Sequence, residues 1–180
     1  MSESKPLQPV TALIHHPYEP PAGFEAVNPG VHKASTVIFE NTAALKARQW
    51  KDKTGYTYGL HGTPTSFTLE ARMAALEGGR DTLLAPSGLA AIALINFALL
   101  KAGDEVLIPT NAYGPNKALA QNELASWGIT TQFYDPMQPQ SLRDALGANS
   151  RLVWLEAAGS VTMEFPNLPE LVRICREHGV

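Results

Sequence analysis

From residue 63 onward the chain alternates helical and extended patterns with short connections, and that rhythm leaves few folds open. FTLEARMAALEGG reads as an amphipathic helix preceded by Pro64, Thr65 and Ser66 and closed by Gly78 and Gly79. DTLLAPSG reads as a short buried strand and a turn. LAAIALINFALLKAG follows as a helix with so little polar surface that burial on most sides is expected, with Lys101 near its C-terminus and Gly103 ending it. EVLIPT, TTQFYD and RLVWLEA are the next strands, separated by the helices PNKALAQNELASWG and SLRDAL. NLPELVRICREHG is a last helix ending at Gly179. Strands separated by helices of this length return through crossovers, so an α/β fold is expected, with a mostly parallel sheet and helices on both faces. Val180 reads as the first residue of a further strand, and the rhythm implies a fragment of a longer domain.

Residues 1–55 differ in character. HHPYEPPAGFEAVNPG holds four prolines and favours an extended path. VHKASTVIFE is expected to form a short strand. NTAALKARQWKDKTG is expected to form a short helix capped by Asn41 or Thr42 and ended by Gly55. An arm without a core of its own must pack elsewhere, on the rest of the chain or on a neighbouring subunit. The expected organisation is an arm over 1–55 and a first part of a ligand-binding domain over 56–180.

Composition excludes several classes. Of 180 residues, 44% are hydrophobic and 17% charged, which fits a globular chain with a packed core. The formal net charge of -3 and the lack of a basic patch argue against nucleic acid as a partner. The start, MSESKPLQPV, lacks the apolar segment of a signal peptide, and LAAIALINFALL is too short to span a bilayer. The expectation is a cytoplasmic protein with no membrane partner. The single cysteine, Cys175, lies in the helical pattern LVRIC and reads as a buried, inert thiol. His15 and His16 have no Cys or carboxylate cluster beside them and read as a loop pair; no metal site is expected.

Two segments have the chemistry to hold an anion. In APSGLAA, Ser87 and Gly88 make the turn that opens a helix, where free N–H groups and the positive dipole end favour a phosphate. Ser87 is equally a common N-cap. In YTYGLHGTPTS, Tyr58, His61, Thr63, Thr65 and Ser66 supply donors, and Gly59 and Gly62 leave the backbone permissive. Ordinary surface packing accounts for that loop as well. Tyr113, in NAYGPN, follows a strand at the C-terminal edge of the expected sheet, where ligands of open α/β sheets bind. Its ring would stack on a planar ligand or serve as a plain loop residue. No G-x-G-x-x-G or G-K-[ST] follows a strand, which weakens a nucleotide-binding reading.

Tyr-Gly-x-x-Gly-Thr-x-Thr, then Ser-Gly before a helix, then a strand and a loop tyrosine, in this order, resembles the Cys/Met-metabolism family of pyridoxal-phosphate enzymes. The similarity runs from about residue 10 to the end. NAYGPN and LEAAGSVTMEFP most resemble the bacterial cystathionine β-lyase branch; other branches tend to carry Asn-Pro where this chain has Gly159 and Ser160. The resemblance implies the large domain of the aspartate-aminotransferase-like (type I) pyridoxal-phosphate fold, incomplete at its C-terminus, and a homotetramer for the complete protein. It implies that Ser87, Gly88 and Leu89 hold the cofactor phosphate. Tyr58 would reach the phosphate of a neighbouring subunit, Tyr113 would stack on the pyridine ring and help move protons, and Ser160 would lie near cofactor and substrate.

The chain departs from the family pattern at Leu60, where an arginine is common, with His61 beside it as a weaker donor, and at Leu89, which replaces a frequent methionine. The family's cofactor lysine, the aspartate for the pyridine nitrogen and the arginine for the substrate carboxylate belong beyond the equivalent of Val180. None of the seven lysines here sits in such a motif. The resemblance therefore implies a parent lyase that eliminates homocysteine from cystathionine, with an amino acid as substrate, and an inactive 180-residue chain. A non-catalytic oligomerisation partner, or another trans-sulfuration enzyme, is the alternative.

Overall fold

The computed structural model describes residues 8–14, 22–23, 26, 28–51, 53 and 55–180. His15, His16 and most of the proline-rich stretch lie outside the described residues. The chain divides into two compact units, Met1–Leu84 and Ala85–Val180.

The first unit is helical. α1 spans Pro9–Ile14, α2 Thr42–Ala47 and α3 Pro64–Glu77. Asn41 caps α2, its side chain accepting the Ala44 N–H. The helix stops at Ala47, well short of Gly55, because Arg48 turns to an extended ψ of 137°. Residues 31–40 form no strand. α3 begins with Pro64 behind a capping box: Thr63 accepts the Ser66 N–H and Ser66 accepts the Thr63 N–H. Gly78 closes it in the left-handed conformation.

The expected buried strand over DTLLAPSG is absent. Residues 81–85 belong to no strand, and Leu83 is 74% exposed. Their polar groups go to side chains instead. The buried Glu70 of α3 accepts the Leu84 N–H at 3.1 Å and pairs with Lys53 at 2.7 Å. Lys53 donates to the Thr82 carbonyl at 2.5 Å.

The second unit contains the sheet. α4 covers Gly88–Leu99, β1 Glu105–Pro109, α5 Gly114–Leu119 with a π-helical turn at Ala120–Leu124, β2 Thr130–Tyr134, α6 Pro139–Ala145, β3 Ser150–Val153 and α7 Leu168–His178. The strands are parallel in the order β2-β1-β3, with Glu105 opposite Thr130 and Pro109 opposite Tyr134. β1 is central and its alternate side chains feed two cores. Val106 and Ile108 pack with Leu100, Ala112, Ala120, Leu124 and Ile129. Leu107 packs on the other face with Tyr134, Leu142, Leu171, Ile174 and Cys175. Helices thus cover both faces of β1, as the alternation requires. Cys175 is buried, and burial pushes its thiol up from the ordinary value.

α4 overturns one expectation. Its buried residue is Asn96, whose Oδ1 accepts the Trp154 indole N–H at 3.1 Å, whereas Leu94, Ile95, Phe97 and Leu99 are each more than 40% exposed. The polar side chain packs inward, where it gives the partly buried Trp154 indole N–H an acceptor. The apolar ones stay half-exposed, Phe97 meeting the Trp127 ring at 5.0 Å. No helix among the described residues is long and apolar enough to cross a membrane.

α6 and α7 are joined by a charge network: Arg143 bonds Glu177 at 2.9 Å, and Arg173 bonds both Glu170 and Glu177. The hydrogen bond from Arg173, with the charges of Arg173 and Arg143, holds the Glu170 carboxyl below the usual carboxylate range. The hydrogen bond from Arg143, with the charges of both arginines, does the same for Glu177. A depressed folded-state value means the stabilisation is complete above the unfolded value and is lost as pH falls through the folded one. Thermal melts are therefore expected to fall as pH drops below the ordinary carboxylate range, and Glu177→Gln to flatten that decline. An unchanged pH slope in the variant would remove this network from acid sensitivity.

Candidate functional site

The second unit presents its site residues at one edge of the sheet. β1 ends at Pro109 and β3 at Val153, and because the strands are parallel the segments that follow both leave the same edge. Tyr113 follows β1. It is the N-cap residue of α5, 42% exposed, and its hydroxyl has no hydrogen-bond partner among the described residues. Ser160 follows β3, with its N–H donating to the Asn111 carbonyl at 2.9 Å. The structure thus brings Tyr113 and Ser160 onto adjoining loops.

Ser87 is the N-cap of α4, with φ -160° and ψ 165°, and its hydroxyl accepts the Ala90 N–H at 3.1 Å. The two readings of Ser87 are therefore compatible: one lone pair caps the helix while the hydroxyl proton stays available. The short connection Leu100–Asp104 places the end of α4 beside the start of β1, so α4 opens toward the edge that carries Tyr113. Nothing lies within 4 Å of the point where a Gly88 side chain would begin, and Leu89 is 37% exposed. This helix start has free N–H groups, a positive dipole end and open space, which is a set of donors suited to a phosphate.

In the first unit, Tyr58 is 37% exposed and sits at a turn, its carbonyl accepting from the His61 N–H at 2.9 Å. His61 is held by Thr57 at 3.1 Å and has the Tyr58 and Trp50 rings at 5.7 Å each. These residues line a largely apolar cavity of about 660 Å³ that also includes Arg48. Gly59 is required by close approach: a Cβ there would lie 1.8 Å from the Ala34 carbonyl oxygen. Thr65 and Ser66 are not the free donors that the sequence suggests, since the Ser66 hydroxyl donates to the Thr63 carbonyl at 3.1 Å, whereas the Thr63 hydroxyl only accepts the Ser66 N–H and keeps its proton. Thr63 and Ser66 form the capping box, while Thr65 accepts the His32 N–H and donates to the Gly30 carbonyl. Leu60 is 82% exposed and adds no polar group.

Three residues near Tyr113 were not singled out from the sequence. Glu156 accepts the Tyr113 N–H at 3.1 Å, and Asn111, 8% exposed, donates through Nδ2 to Glu164 at 2.9 Å. The acidic residue in LEAAGS directly after a strand was the available signal for Glu156. Asn111 and Glu164 carry no local pattern, since they meet across 53 residues.

A sequence model of the family described as Cys/Met metabolism PLP-dependent enzymes matches residues 10–180. The chain belongs to this family. The Cys/Met metabolism family depends on pyridoxal phosphate, and the open N-terminus of α4, directed toward the sheet edge that carries Tyr113, fits such a group. Cystathionine beta-lyase MetC of Escherichia coli is 36% identical over 152 residues, which are 84% of this chain and 38% of that protein. Cystathionine beta-lyase of Bordetella avium is 35% identical over 176 residues, covering 94% of this chain and 44% of that one. The crystal structure of metB from Corynebacterium glutamicum superposes with a TM-score of 0.84 at 25% identity, covering 95% of this chain and 43% of that chain. The chain thus spans less than half the length of the relatives it matches. The α/β architecture expected from the alternation is the one the family shares.

Proposed function

We propose that the whole protein is a pyridoxal-phosphate-dependent carbon–sulfur lyase that converts cystathionine to homocysteine, pyruvate and ammonia. The observation that carries this reading is the α4 start, a capped helix with free N–H groups and open space at Gly88, in a chain about 35% identical to cystathionine beta-lyases. Ser87, Gly88 and Leu89 bind the cofactor phosphate through main-chain N–H groups and the Ser87 hydroxyl. Tyr113 covers one face of the cofactor ring and holds or passes a proton at its phenolic oxygen. Ser160 lies beside cofactor and substrate. Tyr58, with His61 next to it, reaches the phosphate site of a neighbouring subunit, and residues 1–55 pack against the large domain or that neighbour. The complete protein is then a homotetramer. Bound pyridoxal phosphate supplies an electron sink for charge developing at the substrate's α-carbon.

The covalent half of the site falls to residues beyond these 180, so the chain alone is expected to release no pyruvate from cystathionine with added pyridoxal phosphate. The complete reading frame, assayed the same way, is expected to release it; a complete protein that forms no pyruvate would overturn the lyase reading. Binding gives a separate test. Gly88→Asp sets a carboxylate where the phosphate would sit, and pyridoxal phosphate affinity is expected to fall about tenfold or more, as two like charges brought together would cost. Equal affinity in the variant would remove α4 from the phosphate site.

A further inference from the structure

We propose that Glu156 is a positioning residue for Tyr113, and that with the Asn111–Glu164 pair it latches the loop after β1 to the loop after β3. The role of Tyr113 toward a cofactor rests on the function proposed above; the latch itself rests on geometry alone.

Four hydrogen bonds join the two loops or brace the join. The Tyr113 N–H donates to Glu156 Oε2 at 3.1 Å, and Asn111 Nδ2 donates to Glu164 Oε2 at 2.9 Å. The Ser160 N–H donates to the Asn111 carbonyl at 2.9 Å, and the Gly159 N–H donates to the Glu164 carbonyl at 2.8 Å. The second loop is folded tightly on itself, with the Met163 N–H on the Gly159 carbonyl at 3.0 Å. Gly159 leaves room for the buried Asn111 side chain, which a Cβ would meet at 2.3 Å.

The consequence for Tyr113 is specific. Tyr113 is 42% exposed as a residue and its hydroxyl has no partner among the described residues, so the aim of its ring depends on its backbone. That backbone is held on its carbonyl side by the Asn116 and Lys117 N–H groups of α5, at 3.0 and 3.4 Å, and on its N–H side by one long-range bond, the one to Glu156. A charged acceptor makes this bond stronger than a neutral one, and it spans 43 residues. Ser160 is fastened to the same loop through Asn111. Glu156 thus holds Tyr113, while Glu164 holds the Asn111 side chain whose main-chain carbonyl holds Ser160.

The test uses amide hydrogen exchange and Tyr113 ring resonances in the 180-residue chain, followed by titration with pyridoxal phosphate. Glu156→Ala is expected to speed exchange at Tyr113 about tenfold or more while the Ile108 and Phe133 amides keep wild-type protection. The Tyr113 ring signals should broaden or shift toward averaged values, and pyridoxal phosphate binding should weaken. Glu156→Gln keeps an oxygen at the same reach and is expected to restore most of each effect. Glu156→Asp keeps the charge but withdraws the oxygen by one methylene, and is expected to resemble alanine. Should alanine loosen the whole sheet, the glutamine–aspartate contrast still decides. Wild-type exchange and ring signals at Tyr113 in Glu156→Ala, or aspartate behaving as wild type while glutamine fails, would overturn the proposal. A complete protein that binds no pyridoxal phosphate would overturn the cofactor reading, while the exchange and ring signals, which need no ligand, still decide the latch.

Discussion

Leu107→Ala is expected to cost about 2–5 kcal/mol of folding stability, the range for large-to-small changes at fully buried sites. Leu107 lies in the middle of the central strand, fully buried, against Tyr134, Leu142, Leu171 and Ile174. These come from β2, α6 and α7, so a cavity there loosens three elements at once. A domain of this kind is held by only about 5–15 kcal/mol, so the loss is a large share of the total. The melting temperature should fall by roughly 5–15 °C. Leu94→Ala on α4 is the control: Leu94 is 45% exposed, and its truncation should stay within about 0.5 kcal/mol. Thermal melts followed by circular dichroism check both. Equal losses at the two positions would mean that the core does not centre on β1.

Gly159→Ala is expected to be more damaging than an alanine in a loop usually is. The added Cβ would sit 2.3 Å from Asn111 Nδ2, 2.7 Å from Asn111 Cγ and 2.7 Å from Thr162 Oγ1. Asn111 is buried and bonded to Glu164, so it has little freedom to withdraw. Overpacking of this kind costs about 1–3 kcal/mol, and breaking the Asn111–Glu164 bond adds to it. The effect should be concentrated in the loops after β1 and β3, with faster amide exchange at Ser160 and a smaller change in the sheet. A melting temperature and Ser160 exchange both equal to wild type would show that the loop relaxes around the methyl group.

Much of this was legible in the residues themselves. The β1, β2 and β3 segments and the helices α3, α4, α6 and α7 announce themselves through periodicity, and their stops through Gly78 and Gly179. The misreadings share a cause. DTLLAPSG has the composition of a buried strand, yet its Leu84 N–H is taken by Glu70 and its Thr82 carbonyl by Lys53. A strand is a matter of having a neighbour, which no local pattern records. LAAIALINFALL looks like a helix for burial on every side, yet its polar Asn96 is the residue turned inward, toward Trp154. Thr65 and Ser66 look like ligand donors until their hydroxyls are seen donating to the Gly30 and Thr63 carbonyls.

Local sequence determined what depends on near neighbours: the helix and strand rhythm, the turn at Ser87 and Gly88, and the ordered motifs that mark the family. The tertiary structure decided what depends on residues far apart in the chain. It joined Glu156 to Tyr113 and Asn111 to Glu164, and it made Gly159 necessary by bringing Asn111 against it. Hydrogen bonds and steric exclusion act over a few ångströms of space whatever the separation in sequence, so only the fold can say which groups come within their reach.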